Sequence, residues 1–284
     1  MRHKILLPTD FSKNSIKAIN YARELYKNEY CDFYILNVLW ATGNILDSLL
    51  NLKPGSELYE TAKLNSENGL ASVFDMITMN DSANPKHNFK VISQFSNVID
   101  GIKSIVDKKD IEMVVMGTKG KTHSRATAFG STAIYVMEKV RNCPILVVPA
   151  DAEIKLPKEI VFPSNYRTNF KQRELIHLYN IAQKSNANIA ILHITKEEKL
   201  DKEQEENINL LKEILEGISY KFHTLTSNSI QSSINVFVKS RGSDMVAFIN
   251  KKHSFFGSIF SSPMVKEISY HLKVPILAMH NLKN

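Results

Sequence analysis

The strongest constraint on this sequence is that it is written twice. ILLPTDFSKNS (5–15) is matched by IVFPSNYRTNF (160–170), FYILNVL (33–39) by IAILHIT (189–195), EMVVMGTKG (112–120) by DMVAFINKK (244–252), and NCPILVVP (142–149) by KVPILAMH (273–280), always in the same order. A duplication of about 140–155 residues is far longer than the 20–50-residue period of a solenoid and has the size of a domain. The 284 residues therefore divide into units at 1–150 and 158–284, with the polar segment DAEIKLP (151–157), which ends in a proline, as the linker.

Within each copy, short apolar runs alternate with longer segments of helical period, the pattern of α/β layers. Strands are expected near 3–8, 31–39, 87–94, 111–117 and 144–149, with helices near 12–28, 56–79, 97–109 and 131–141. The second copy repeats them with strands near 158–163, 187–194, 219–226, 243–249 and 274–279, and helices near 167–184, 197–217, 229–241 and 263–272. Runs such as Met113-Val114-Val115-Met116 and Ile145-Leu146-Val147-Val148 are apolar without alternation, so these strands are buried on both faces, as in parallel sheets. The expected fold is α/β: two tandem doubly wound domains, each with a five-stranded, mainly parallel sheet and helices on both faces.

Charge and cysteines exclude several classes of function. The net charge of +7 is spread as 18 basic against 15 acidic residues in 1–150 and 18 against 14 in the remainder, and no run of five to eight Lys/Arg stands out. A diffuse excess defines no nucleic-acid face. Cys31 and Cys143 form no CxxC, so neither a disulfide framework nor a thiolate metal site is expected. The beginning MRHKILLPTDFS lacks the apolar core of a signal peptide, and no window approaches 18 continuous apolar residues. The expectation is a soluble, cytoplasmic protein with neither nucleic acid nor membrane as partner.

In open α/β sheets, ligands bind beyond the carboxyl ends of the strands where the strand order reverses, which directs attention to the loops after strands one and four. After strand four the sequence reads GTKGKTHSRATAFGST, with Gly117, Gly120 and then Gly130-Ser131-Thr132 at the head of the next helix. Gly117 and Gly120 permit positive φ and close backbone approach, so that successive N–H groups form an anion-binding nest. Gly130, Ser131 and Thr132 add free N–H groups, hydroxyls and the positive helix end, while Lys119, Lys121 and Arg125 add charge. Phosphate is the expected occupant. The spacing is wrong for a Walker A loop, and no GxGxxG follows any strand. Asp10 and Ser12 also precede a helix, where both are natural N-cap residues.

Gly117, Gly120, Gly130 and Ser131 fit the pattern G-x2-G-x9-G-(S/T), and with PTDFS (8–12) the sequence resembles the universal stress protein family along its whole length, as two tandem copies. The resemblance implies a Rossmann-like fold of the adenine nucleotide alpha hydrolase type and an ATP site in the first copy. Carried over by position, phosphate contacts fall on Gly117, Lys119, Gly120, Gly130, Ser131 and Thr132, with Met116 at the end of strand four beside them. Thr9, Asp10 and Val38 border the adenosine, and Asp10 approaches a divalent metal such as Mg. The implied role is a stress-related regulatory nucleotide binder that acts on a downstream protein, with a slow ATPase and a ligand-free interaction module as alternatives. Family members pair through the last strand, so Ile145–Val148 and Ile276–Met279 are candidate edges for a homodimer or for an intrachain pseudo-dimer.

The second copy departs from this pattern. Gly117 becomes Ile249, Gly120 becomes Lys252, Gly130 becomes Ser261, Thr132 becomes Pro263, and Asp10 becomes Asn165. Side chains stand where phosphate should meet backbone, so the second copy is expected to lack the site. Phe255, Phe256 and Phe260 are expected to fill the crevice or to face a partner, residues 43–60 to form a lid or docking surface, 196–206 to lie on an exposed helix face, and His253, His271 and His280 to be solvated or capped.

Overall fold

The computed structural model describes residues 2–39, 54–79, 84–118, 130–196, 199–250 and 272–280. In the first half, strands β1 (His3–Pro8), β2 (Cys31–Leu39), β3 (His87–Phe95), β4 (Met113–Gly117) and β5 (Ile145–Val148) alternate with helices α1 (Lys13–Leu25), α2 (Glu57–Thr78), α3 (Val98–Lys109) and α4 (Ser131–Lys139). The second half contains β6 (Glu159–Pro163), β7 (Asn188–Thr195), β8 (Tyr220–Thr226), β9 (Met245–Asn250) and β10 (Ile276–His280), with α5 (Gln172–Ser185), α6 (Lys202–Ile214) and α7 (Ile230–Arg241). The helix expected over 263–272 lies outside the described residues except for its last position.

Two helices begin five residues later than the periodicity predicts, and side-chain chemistry explains both. After β6, the Ser164 hydroxyl accepts from the Tyr166 N–H at 3.1 Å and the Asn165 side-chain oxygen accepts from the Arg167 N–H at 3.0 Å. These local bonds hold the backbone in turns, and α5 starts at 172 instead of 167. Before α6, the Asp201 carboxylate accepts from the Gln204 N–H at 2.9 Å and the Gln204 side chain accepts from the Asp201 N–H at 3.0 Å, a capping box that sets the start at 202 instead of 197.

The strands form one sheet in the order β3-β2-β1-β4-β5-β10-β9-β6-β7-β8. Each half runs in the same parallel order, and the halves meet where β5 pairs antiparallel with β10, Ile276 opposite Val147 and Ala278 opposite Ile145. The two expected five-stranded sheets are thus a single ten-stranded sheet, because each half covers the exposed final edge of the other. The two cores also cross this seam. One joins residues of α1, α2, α5 and α6 to one sheet face, and the other joins α3, α4 and α7 to the opposite face. Central residues such as Val114, Val147, Val246 and Leu277 are fully buried, which accounts for their unbroken apolar runs.

The register supports the sequence alignment of the copies. Gly117 pairs with Val148 and Ile249 pairs with Met279, equivalent positions at the ends of equivalent strand pairs.

Candidate functional site

The strand order of the first half reverses between β1 and β4, and the loops leaving these strands turn to opposite faces. Pro8 ends β1, and the next four residues form a compact turn. The Thr9 hydroxyl accepts from the Phe11 N–H at 3.0 Å, one Asp10 carboxylate oxygen accepts from the Ser12 N–H at 3.1 Å, and Ser12 caps α1 by accepting from the Ser15 N–H at 3.2 Å. Ser12 is therefore the N-cap, and Asp10 is the residue that shapes the turn before it. Thr9 is buried, with its hydroxyl bonded to that of Ser15 at 2.8 Å. From β2, the Asn37 side-chain amide donates to the Thr9 carbonyl at 2.7 Å and fixes the loop to the neighbouring strand.

The end of β4 is joined to the same loop through α1. Asn14 donates to the Val148 carbonyl at 3.0 Å and accepts from the Thr118 hydroxyl at 3.0 Å, a buried bridge between β1's helix and the ends of β4 and β5. This bridge explains Gly117. A Cβ there would lie 2.9 Å from both the Asn14 backbone oxygen and its side-chain carbon. Gly117 lacks the positive φ that the sequence reading invoked, and its requirement is close approach to α1. Gly130 also has ordinary extended angles, φ −82° and ψ 159°. It is the N-cap of α4 without a side-chain cap, its N–H donates to the Thr118 carbonyl at 2.6 Å, and Ser131 and Thr132 are exposed at the helix start. Lys119, Gly120, Lys121 and Arg125 lie outside the described residues.

Beside this arrangement lies a cleft of ≈ 880 Å³ between the β1 loop, the end of β2 and the inner face of α2. Asp10, Phe11 and Ile16 form one side and Asn37, Val38 and Leu39 the floor, while α2 contributes Ala62, Asn65, Ser66, Gly69, Ser72, Val73 and Met76. The volume lies within the range of about 300–1,000 Å³ common for small-molecule sites. Val38 is half-buried, and its side chain packs toward α3, where a Cβ on Gly101 would meet it at 3.1 Å. Met116 is buried in the core on that face. Glycine in the middle of a helix is disfavoured by about 0.5–1 kcal/mol, and Gly69 has a local reason to be there. The Phe11 ring lies where a side chain would project, with Cε2 only 2.4 Å from the position of a Cβ.

The structure thus brings Thr9, Asp10, Val38, Met116, Gly117, Gly130, Ser131 and Thr132 to one end of the first half's sheet, at the carboxyl ends of β1, β2 and β4. Sequence reasoning missed Asn14, Asn37, Thr118 and the α2 wall. Of these only Asn37, a polar residue inside the apolar run ILNVL, stood out in the sequence, and it carries no information until its partner is known.

The second half has the same loop with different consequences. Tyr166 is left-handed, φ 59° against 64° at Phe11, and His193 takes the place of Asn37 with its Nδ1 2.9 Å from the Ser164 carbonyl. A carbonyl only accepts, so Nδ1 carries the proton. The Tyr166 ring stacks on His193 with centroids 4.6 Å apart and meets Phe222 edge-on at 6.0 Å. Helix α6 is tied to the loop: Gln204 donates to the Asn165 carbonyl at 2.9 Å, Asn207 donates to the Tyr166 carbonyl at 2.7 Å, and Arg167 pairs with Asp201 at 2.8 Å. Gln204 is buried within the charged run 196–206, whose other α6 residues are exposed as expected. Phe255, Phe256, Phe260, Ser261, Pro263, Lys252, His253 and His271 lie outside the described residues, as do positions 43–53 of the expected lid. His280 corrects its expectation. It is buried, because it closes a central strand instead of lying on a surface loop, and among the described residues neither ring nitrogen has a hydrogen-bond partner.

Among the described residues no helix is long and apolar enough to cross a membrane, and no three His, Cys, Asp or Glu side chains are grouped to hold a metal. Cys31 and Cys143 are free and buried, and burial raises both thiol pKa values, the former to about 12.

The fold is shared with solved proteins of low sequence similarity. A universal stress protein from Archaeoglobus fulgidus DSM 4304 superposes with TM-score 0.72 at 17% identity, covering 98% of this chain and 96% of that one. A putative universal stress protein from Pseudomonas aeruginosa UCBPP-PA14 gives 0.61 at 10% identity, covering 98% and 93%. The cytoplasmic domain of a prokaryotic cation chloride cotransporter gives 0.52 at 10% identity, covering 98% and 95%. No curated protein matches the sequence. The model of the universal stress protein family matches residues 1–149, and on that match, over half of its length, the chain belongs to the universal stress protein family.

Proposed function

We propose that this universal stress protein binds ATP through its first half and acts as a cytoplasmic regulatory protein whose nucleotide-bound form is what a downstream protein recognises. The observation that carries the reading is the cleft lined by Asp10 and Val38 at the carboxyl ends of β1 and β2, the end of the sheet from which β4 also leads to the N-terminus of α4 at Gly130. Adenosine would occupy the cleft between the β2 floor and α2. The phosphates would extend toward β4, where the Ser131 and Thr132 N–H groups open α4 and attract negative charge. Lys119 and Gly120 complete the phosphate contacts in this reading. Asp10 is the described carboxylate at the cleft, and a Mg²⁺ ion held mainly by phosphate oxygens needs only one or two such groups.

The second half is proposed not to bind nucleotide in this manner. Ile249 replaces Gly117, Asn165 replaces Asp10, and α6 is hydrogen-bonded to the loop after β6, the counterpart of the loop that α2 faces across the cleft in the first half. The boundaries 1–150, 151–157 and 158–284 follow the same reading, and the β5–β10 seam supports an intrachain pseudo-dimer.

Isothermal calorimetry of the full chain with ATP and Mg²⁺ tests this directly. One site per chain is expected, with affinity reduced tenfold or more in Gly130→Val. Failure of the wild-type chain to bind any adenine nucleotide would overturn the reading.

A further inference from the structure

We propose that Phe11 and Gly69 form a joint that holds the first-half cleft open, so that these two positions determine whether the cleft admits a nucleoside; the inference rests on the nucleotide-binding reading above. Phe11 follows Asp10 in the loop after β1 and has φ 64°, a left-handed conformation that a bulky side chain rarely adopts. The ring so directed reaches α2 at Gly69. A Cβ on Gly69 would stand 2.4 Å from Cε2, 2.5 Å from Cζ and 2.8 Å from Cδ2 of the ring, all far inside contact distance. The ring therefore sits directly on the helix backbone, and glycine is the one residue that lets it do so.

Both residues line the same cleft. The ring is also packed against the core beneath α1 and α2, where Leu70 and Val73 are buried. A side chain at position 69 leaves two responses: the ring moves into the cleft, or α2 is displaced from that core. Close packing makes the second the harder. The second half provides the internal comparison. Tyr166 has the same backbone conformation, but its ring contacts His193 and Phe222 of the sheet, and α6 is tied to the loop through Gln204 and Asn207. The same left-handed aromatic thus accompanies a cleft where it seats on a helix glycine and a bonded loop–helix contact where it stacks on the sheet. Phe11 is a positioning residue in this proposal, acting on the shape of the site.

The test is a rescue experiment on the full chain, with ATP affinity from calorimetry and thermal midpoint measured for each variant. Gly69→Val should weaken ATP binding at least tenfold while the chain remains folded, because the displaced ring occupies the nucleoside space. Adding Phe11→Ala to Gly69→Val should restore affinity to within about threefold of Phe11→Ala alone. Loss of binding in Gly69→Val that Phe11→Ala does not restore, or unchanged binding in Gly69→Val, overturns the joint. The thermal midpoints decide it independently of ligand: Gly69→Val should lower the midpoint of the wild-type chain more than that of Phe11→Ala, and equal decreases would overturn it. Absence of binding in the wild type would refute the nucleotide reading alone, and the midpoint comparison would still decide whether Phe11 and Gly69 are coupled.

Discussion

His280 closes β10 with 4% of its surface exposed, and among the described residues both ring nitrogens are unpartnered. Burial, reinforced by the nearby Arg141 guanidinium, pushes its pKa down from 6.5 to about 3. The unfolded chain takes up a proton here near pH 6.5, whereas the folded chain resists until near pH 3, so stability is full above 6.5 and falls as the pH drops below it. At about 1.4 kcal/mol per pH unit, the loss attributable to this one ring reaches about 2 kcal/mol at pH 5. His280→Leu removes the titration with little change in volume. At pH 8 the variant should match the wild type within about 1 kcal/mol or exceed it, since two unsatisfied polar atoms are removed. Urea unfolding at pH 8 and pH 5 should show the variant's relative stability rising by about 2 kcal/mol between the two. Parallel losses in wild type and variant would refute the argument and place a hydrogen-bonded or solvated ring at this position.

Gly117→Ala places a methyl group 2.9 Å from the Asn14 backbone oxygen and should lower unfolding free energy by about 1–3 kcal/mol; a change below 0.5 kcal/mol would show that α1 is free to move from β4. His177 on α5 shares a cavity of ≈ 310 Å³ with Lys184 of the same helix and with His3 and Glu112 of the first half, and burial holds its pKa below the usual value, partly offset by Glu112. Its stability contribution is therefore present above about pH 6.5 and lost on acidification, so His177→Phe should flatten part of the acid limb seen by thermal unfolding. An unchanged limb would refute it.

The fold was legible because duplication supplied two readings of each element. Where one copy was ambiguous the other was apolar and unbroken, as with Met113–Met116 beside the polar-ended DMVAFIN. What periodicity missed was set by single hydrogen bonds. The delayed start of α5 depends on Ser164 and Asn165 capturing N–H groups, and that of α6 on Asp201 and Gln204 capping each other. The site shows the same division. Its position followed from topology, whereas the reason for Gly117 was misread, because a glycine required by a neighbour across 100 residues looks identical in sequence to one required by its own φ. The Phe11–Gly69 contact was illegible for the same reason: neither residue breaks a local rule strongly enough to announce its partner.

The antiparallel seam gives the duplication a consequence that two separate domains would not have. With β5 and β10 running in opposite directions, the residues that enter β5 approach the strand ends of the second half. Arg141, three residues before Pro144, donates to the carbonyl of Asn250 at the end of β9, and Asn250 in turn donates to the Met137 carbonyl of α4 at 3.1 Å. In the second half the position three residues before Pro275 is Leu272, which is buried and has no charge to return. The exchange across the pseudo-dyad is therefore unequal. The first half sends a cation and a helix into the strand-four end of the second half, the position that Thr118 occupies beside the proposed phosphate site. Burying that guanidinium lowers its pKa, a charge tolerable there because a backbone carbonyl receives it. Asn250, the counterpart of Thr118, is thereby engaged in joining the halves, which fits the proposal that only the first copy binds nucleotide.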